Sequence, residues 1–473
     1  MNDKPVTVSL PSETMKTSEE DTASSQSPVQ IAVIGCGWWS QGWHLPHLSN
    51  NAPQIKIAAV VDPTLAPIST LSSSPLLSLA ELSEKYDCPC FSSVSELLSS
   101  PLGPKLDGAI VVTSHASHFD VGMSLLNEGI NRRQMAGSEV YRPLHILMEK
   151  PMTTNVNEAR MLWETSAKKY PEASFIINHT ASYRPQTRVA RQIVASNELG
   201  KIRHITASMT GPLIWLFDDA KNHSWVSKTP WKTGIESSSG EESVAADGKA
   251  PMTGNGFAWG QIAHVLAWIY AVLGVGGDDS DDIAIPTKVY CTMSHAPKTG
   301  ADISLAAVIT CHDGVTFSLA GTALLPGSQY SSKPVGKHIK VELFGENGSL
   351  MYGGDDKIPE SGRLELRKTA VGKAEDGRLS FPCSNHDWTE CLGDMASELK
   401  DGFYFEDGEQ KGLGPGSMAA FLEACRASSS AFAHSKHLPT SAIDDSLIGL
   451  RTVQVIDAMY RSSSSGSVES ICQ

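Results

Sequence analysis

Apolar positions along the chain follow two rhythms. From Gln30 to about Glu149, short β-rich runs alternate with stretches of helical spacing. "QIAVIG" precedes a helical "SQGWHLPHLS", "IKIAAVVD" precedes "SLAELSEKY", and a short "CFS" strand precedes "SVSELLSS". "DGAIVVT" is followed by "FDVGMSLLNEG", with Gly129 read as the helix stop. After an irregular, insertion-like segment over residues 131–143, "HILMEKP" predicts a fifth strand, and "NEARMLWETSAKKY" with "SFIINH" adds a helix and a sixth. Strands alternating with helices predict a parallel sheet covered on both faces, because each parallel connection needs a helix-length crossover.

After a helix in "RPQTRVARQIVASNELGKI" that ends at Gly200, the rhythm changes. "RHITASMTG", "TKVYCTMSH", "ISLAAVITC", "VTFSLAGTA", "HIKVELFGENGSLMY" and "RLELRKT" read as strands with few helices between them, which predicts an antiparallel sheet. "HDGV" and "ENGS" supply turn residues. In the last helix Ile443, Leu447, Leu450, Val453, Ile456 and Met459–Tyr460 recur as a core-facing stripe. No internal repeat is apparent.

Composition narrows the class. At 473 residues two or three domains are expected, and 41% apolar with 19% charged residues describes an ordinary globular protein. The balance of 38 basic and 52 acidic residues gives 38 − 52 = −14 without a basic block, so neither nucleic acid nor a membrane is an expected partner. Nine cysteines lack metal-ligand spacing, so no metal is expected and reduced thiols are the default. The first 28 residues are polar and acidic, unlike a signal or transit peptide, and the longest apolar run, 262–275, is short for a membrane helix. A cytoplasmic protein is expected. The boundaries read as a disordered tail at 1–28, an alternating α/β domain at 29–152 with its final strand and helices to about 182, a second, strand-rich domain at 183–461 with a polar insertion at 218–253, and a flexible tail at 462–473.

"IAVIGCGWWSQG" lies between a predicted strand and a predicted helix. Gly35 permits the tight turn, Gly37 lets backbone approach a pyrophosphate at the helix N-terminus, and Ser40 takes the third glycine's place as a small residue. "AAVVD" then puts Asp62 at the end of the second strand, about 25 residues on, where a carboxylate accepts from both adenosine ribose hydroxyls and repels a 2′-phosphate. Pro63 and Thr64 follow in place of an arginine, which favours NAD over NADP. Adjacent Trp38 and Trp39 point in different directions, so at least one should line the cofactor groove. His44 fits a helix surface and carries no assignment.

"GCGWWSQGWHLPHL", Asp62, "VVTSHASHF", "MEKP" and "NELGKI", in this order, resemble the glucose-fructose oxidoreductase / inositol dehydrogenase / MocA family over roughly Gln30–Arg461. The resemblance implies an α/β fold: an N-terminal Rossmann dinucleotide-binding domain, then an α+β domain with a large open, mainly antiparallel sheet. It implies hydride transfer between NAD and a secondary hydroxyl, or the matching ketone, of a sugar, inositol or related polyol. It also implies that the open sheet mediates a homo-oligomer. Glu149, Lys150 and Pro151 match the family's E-K-P, with the lysine near the nicotinamide and the reacting hydroxyl. Thr113 and Ser114 match the loop that passes along the cofactor, and His118 matches a histidine opening the next helix, where a helix cap is an equal reading.

The second catalytic motif departs from the family. In "GNGFAWGQIAHVLAW", His264 matches the family's histidine, but the aspartate four residues earlier is Gly260. Gln261 next door is a candidate hydroxyl ligand, as is Tyr183 in "NHTASYRP". Oxidising an alcohol needs a proton acceptor, and a lysine beside the nicotinamide in a desolvated cleft should have a lowered pKa, which suits a base. Lys150 is therefore expected as base and orienter, with His264 as proton partner or hydroxyl ligand. Two other readings share the fold: a non-catalytic NAD- and sugar-sensing regulator, and a redox-neutral NAD-dependent glycosidase.

Overall fold

Six of the early apolar runs pair into one parallel sheet. The computed structural model describes residues 27–69, 71, 75–137, 141–218, 256–275, 284–329, 331–369, 372–373, 379–380, 383–385, 412–429 and 445–471. The strands are β1 (Val29–Ile34), β2 (Ile55–Val61), β3 (Cys90–Phe91), β4 (Gly108–Val111), β5 (His145–Met148) and β6 (Phe175–Ile177). They lie in the order β3-β2-β1-β4-β5-β6, each neighbouring pair parallel. The chain winds outward from β1 to β3, then crosses back to β4, so strand order reverses between β1 and β4. A crevice opens there, at the carboxyl ends, as in dinucleotide-binding sheets. Ile31, Val33, Ile110 and Leu147 are fully buried, which explains continuous apolar runs in place of alternation.

Three of the helices between these strands begin at side-chain caps. α1 (Leu45–Asn50) is entered through a π-type turn, Ser40–His44. α2 (Leu79–Tyr86) starts with a reciprocal Ser78–Glu81 capping box, and Ser93 caps α3 (Val94–Ser99). α4 (His118–Ala136) does not stop at Gly129 but runs to a cap at Gly137. A Cβ on Gly129 would collide with the ring of buried Tyr170, so this glycine serves close packing rather than termination. α4 also reaches into the expected insertion, where Arg132 is buried and donates to the Leu106 carbonyl. α5 (Val156–Trp163) follows β5 with Asn155 as its cap, and α6 (Pro185–Ala195) follows β6.

The second sheet contains β7 (Ile202–Thr210), β8 (Pro286–His295), β9 (Asp302–Cys311), β10 (Thr316–Thr322), β11 (His338–Gly345), β12 (Gly348–Asp355) and β13 (Ile358–Thr369). Their order is β13-β12-β11-β7-β10-β9-β8, with short strands at both edges. All pairs are antiparallel except β7 with β10. One face is buried and the other is open, with Tyr290 and Val308 exposed. After the short α7 (Ile214–Phe217), α8 (Ala263–Val272) covers the buried face, touching β7, β11 and α6.

The last long helix, Asp445–Ser465, touches α5 and β6 on one side and β8 and α8 on the other. Wedged between both sheets, it is buried nearly all round rather than along one stripe. The C-terminal segment also differs from expectation. Glu469–Ser470 pairs with β8, Arg461 ion-pairs with Glu469, and Ile471 is buried, so hydrogen bonding anchors residues 469–471 to the sheet edge. The expected tail at 1–26, the stripe residue Ile443 and nearly all of the polar insertion, 219–253, lie outside the described residues. No helix among the described residues is long and apolar enough to cross a membrane.

Candidate active site

The turn after β1 is shaped by backbone crowding. Gly35 has a φ of 93°, and a Cβ there would collide with the Val112 carbonyl at the end of β4. A Cβ on Gly37 would meet nothing within 4 Å, so the turn faces open space at the strand-order reversal. Asp62 ties the turn to β2: its Oδ2 accepts from the Cys36 N–H at 2.7 Å and its Oδ1 from the Thr64 N–H at 2.8 Å. Ser40 is fully buried, as close packing of helix on strand requires. A glycine turn, open space before it and a carboxylate at the second strand's end fit a dinucleotide.

The strand end "MEKP" organises the neighbouring cluster. Glu149 is buried, and its Oε1 accepts from Trp39 Nε1 at 2.9 Å and Asn178 Nδ2 at 2.7 Å, with His44 Nε2 also 2.9 Å away. Burial alone would raise the Glu149 pKa, but His44, Lys150 and Asn178 outweigh it and hold the carboxyl at about 2. Ser417, on the Gly416–Ser429 helix, donates to Asn178 Oδ1 at 2.6 Å, so this helix also braces the cluster. Trp39 is 40% exposed and stacks on Trp43 at 5.0 Å, while Trp38 is half-buried at 5.7 Å from Trp39. His118 does not cap its helix: Nδ1 lies 2.8 Å from the Pro151 carbonyl and Nε2 3.2 Å from the Thr113 carbonyl. It thereby joins the loop after β4, carrying Thr113 and Ser114, to the cis Lys150–Pro151 turn.

Lys150 extends toward the second domain, where its Nζ donates to the Gly260 carbonyl at 2.7 Å. Backbone in a wide turn presents this carbonyl. A π-type turn spans Ala258–Ile262, with the Ala263 N–H reaching the Ala258 carbonyl, and α8 follows. Asp302 anchors this turn by accepting from the Ala258 N–H at 2.8 Å and from the Tyr460 hydroxyl. Burial, opposed by nearby Glu149 and reinforced by Lys337, lowers the Lys150 pKa from 10.5 to about 8. His264 is held well below its usual pKa by burial first, then by Lys150, His179, Lys337 and Arg184. The His264 and His179 rings meet edge to face with centroids 6.1 Å apart.

The structure therefore brings Glu149, Lys150 and His264 to one place, beside the glycine turn. Gln261 lies within the π-type turn, its Oε1 buried with no hydrogen-bond partner among the described residues. Tyr183 instead turns its hydroxyl to Asp445. Five contributors carried no assignment from sequence: His44, Asn178, His179, Asp302 and Ser417. Asn178 and His179 sit at the end of a predicted strand, which was a usable signal; Asp302 and Ser417 arrive from distant segments, which left none. No group of three metal-capable side chains occurs among the described residues.

Comparison with known proteins agrees with this fold. The GFO_IDH_MocA model, described as an oxidoreductase family with an NAD-binding Rossmann fold, matches residues 29–173. The whole fold is similar to the WlbA dehydrogenase from Bordetella pertussis in complex with NADH and UDP-GlcNAcA, at 14% identity and TM-score 0.60 over 94% of this chain and 98% of that one. It is also similar to myo-inositol 2-dehydrogenase from Lactobacillus plantarum, at 17% identity and TM-score 0.54 over 94% and 100%. A levoglucosan dehydrogenase in complex with NADH matches at 14% identity and TM-score 0.58 over 94% and 100%. Over residues 29–173 this chain is thus similar to the GFO_IDH_MocA oxidoreductase family, and there it forms a Rossmann-type parallel sheet.

Proposed function

We propose that the chain is an NAD-dependent dehydrogenase acting on a secondary hydroxyl of a sugar, inositol or related polyol, or on the matching ketone. The observation that carries this reading is Lys150. It is half-buried beside the glycine-turn crevice, fixed at 2.7 Å on a backbone carbonyl, with its pKa lowered to about 8. A lysine that releases its proton near neutrality suits a general base for an alcohol.

In this reading the Gly35–Gly37 turn and the loop with Thr113 and Ser114 hold the dinucleotide. Asp62 holds the adenosine ribose and disfavours a 2′-phosphate. Trp38 and Trp39 border the groove. NAD, when bound, supplies the acceptor for the hydride. Lys150 orients the substrate hydroxyl and takes its proton. Glu149, saturated by its donors, keeps the strand end fixed, while His264 and Gln261 contact neighbouring hydroxyls. The dehydrogenases in the solved structures, named for levoglucosan and myo-inositol, support a cyclic polyhydroxylated substrate.

The test is NADH formation by the purified chain with NAD and a panel of sugars and cyclic polyols that includes myo-inositol and levoglucosan. Turnover with at least one member is expected; none, in either direction, overturns the reading. A non-catalytic sensor is the second reading, favoured by Gly260, which brings no carboxylate to Lys150. NAD binding without turnover, with capture of a transcription factor in pull-down, would favour it.

A further inference from the structure

The Gly260 carbonyl holds the Lys150 ammonium but cannot take a proton from it, because an amide oxygen is far too weak a base. The proton's next acceptor therefore lies elsewhere. His264 lies one helical turn beyond Gly260, and the His179 ring packs edge to face against it at 6.1 Å. His179 is 2% exposed, and neither ring nitrogen has a hydrogen-bond partner among the described residues. An imidazole left unsatisfied in this way is costly to bury, and such groups call for an explanation.

Backbone bonds fix its position. The His179 N–H donates to the Ile177 carbonyl at 2.6 Å, and its own carbonyl accepts from Ser182. The preceding residue, Asn178, is committed to Glu149. Charge explains what the ring can do there. Burial first, then Lys150, holds His179 at about 3, and the same two influences act on His264. The groups facing the pair are Lys150 and Glu149 from the β5 end, Lys337 before β11 (paired with Asp356), and Arg184 before α6. Lys150 and the two imidazoles thus exclude one another's positive charge, and their titration is shared.

We propose that His179 is a positioning residue for His264, the packed imidazole pair taking the part that a carboxylate at position 260 would play. The inference rests on the dehydrogenase reading. As the alcohol's C–H electron pair leaves with its hydrogen for NAD, the O–H proton passes to the neutral Lys150 amine and a C=O bond forms. Lys150 then returns to its amine form by passing the proton by way of His264 to solvent, the imidazole serving as a transient carrier because its own pKa lies lower. His179 holds that ring in line and, by staying neutral, leaves His264 able to accept.

The test compares wild type, His179→Ala and His179→Gln in NADH formation across the panel that includes myo-inositol and levoglucosan, with added imidazole. NADH fluorescence titration reports cofactor binding and circular dichroism reports folding. Wild-type turnover is expected, with His179→Ala reduced 10- to 100-fold in kcat at little change in KM, NADH binding kept, and at least fivefold recovery in imidazole but not in sodium chloride of equal ionic strength. If His179→Ala does not fold, His179→Gln carries the test: its rate should fall more steeply than the wild type's below pH 8, where Lys150 is slowest to give up its proton. Undiminished turnover, or loss without imidazole rescue and without a changed pH profile, overturns the role of His179 alone. A wild-type chain inert toward the whole panel overturns the dehydrogenase reading and this inference together.

Discussion

The ammonium of Lys150 meets the carbonyl oxygen of Gly260 at 2.7 Å, across the junction between the two domains. The lysine comes from the carboxyl edge of the parallel sheet, the carbonyl from the helix that covers the open one. A single hydrogen bond thus registers the cofactor crevice against the region that faces it. This geometry also explains why position 260 needs no side chain for Lys150 to be held: the π-type turn presents backbone instead.

Lys150→Met should cut turnover by about 10²–10⁴-fold, the usual range for removing a general base. NADH should still bind, because the glycine turn and Asp62 are untouched. The wild-type oxidation rate should rise with pH through about 8, since the lysine accepts a proton only in its amine form and its pKa is lowered to about 8. A rate that is flat from pH 6 to 9 would remove Lys150 from the base role.

Glu149→Gln should act on both stability and pH dependence. The folded carboxyl titrates at about 2 against 4.5 when free, so its contribution is present above about pH 4.5 and is lost as pH falls through about 2. That shift corresponds to roughly 3 kcal/mol at neutral pH. Denaturant melts should show the variant weakened at pH 7, with the gap to wild type closing toward pH 2–3. Glu149 also raises the Lys150 pKa, so its loss should move the rate midpoint below 8.

Much of this was legible in the chain because dinucleotide-binding sheets write their local demands into short segments. The six parallel strands, the Gly35–Gly37 turn and Asp62 each follow from contacts within one βαβ unit. Gly129 shows the limit: its neighbour is Tyr170, 41 residues away, and nothing local distinguishes a packing glycine from a terminating one. His44 shows another. In a regular helix it would point about 140° away from Trp39 at 3.6 residues per turn. The π-type turn brings both to Glu149 Oε1, and periodicity counted at helical spacing misses it.

Asp62→Ala removes the acceptor for the Cys36 and Thr64 N–H groups, loosening the glycine turn along with the proposed ribose contact. NAD affinity should fall about tenfold or more, a change of ~1.4 kcal/mol, while NADP loses less because the repulsion toward its 2′-phosphate also disappears. Fluorescence titrations with NADH and NADPH read the ratio directly. An unchanged preference would place cofactor discrimination elsewhere.

Gly256→Ala tests how the second domain aims its half of the site. A Cβ at Gly256 would land on the Asp302 carboxylate and lie 2.4 Å or less from three of its atoms, including the backbone nitrogen. The carboxylate cannot swing aside without releasing the Ala258 N–H and the Tyr460 hydroxyl. Overpacking of this kind costs about 1–3 kcal/mol, so the melting temperature should drop. Because Asp302 anchors the turn that presents Gly260 and leads into His264, kcat should fall further than the residual folded fraction accounts for, while NADH affinity stays near wild type. Loss of stability with kcat per folded molecule intact would mean that Asp302 supports the fold without aiming the site.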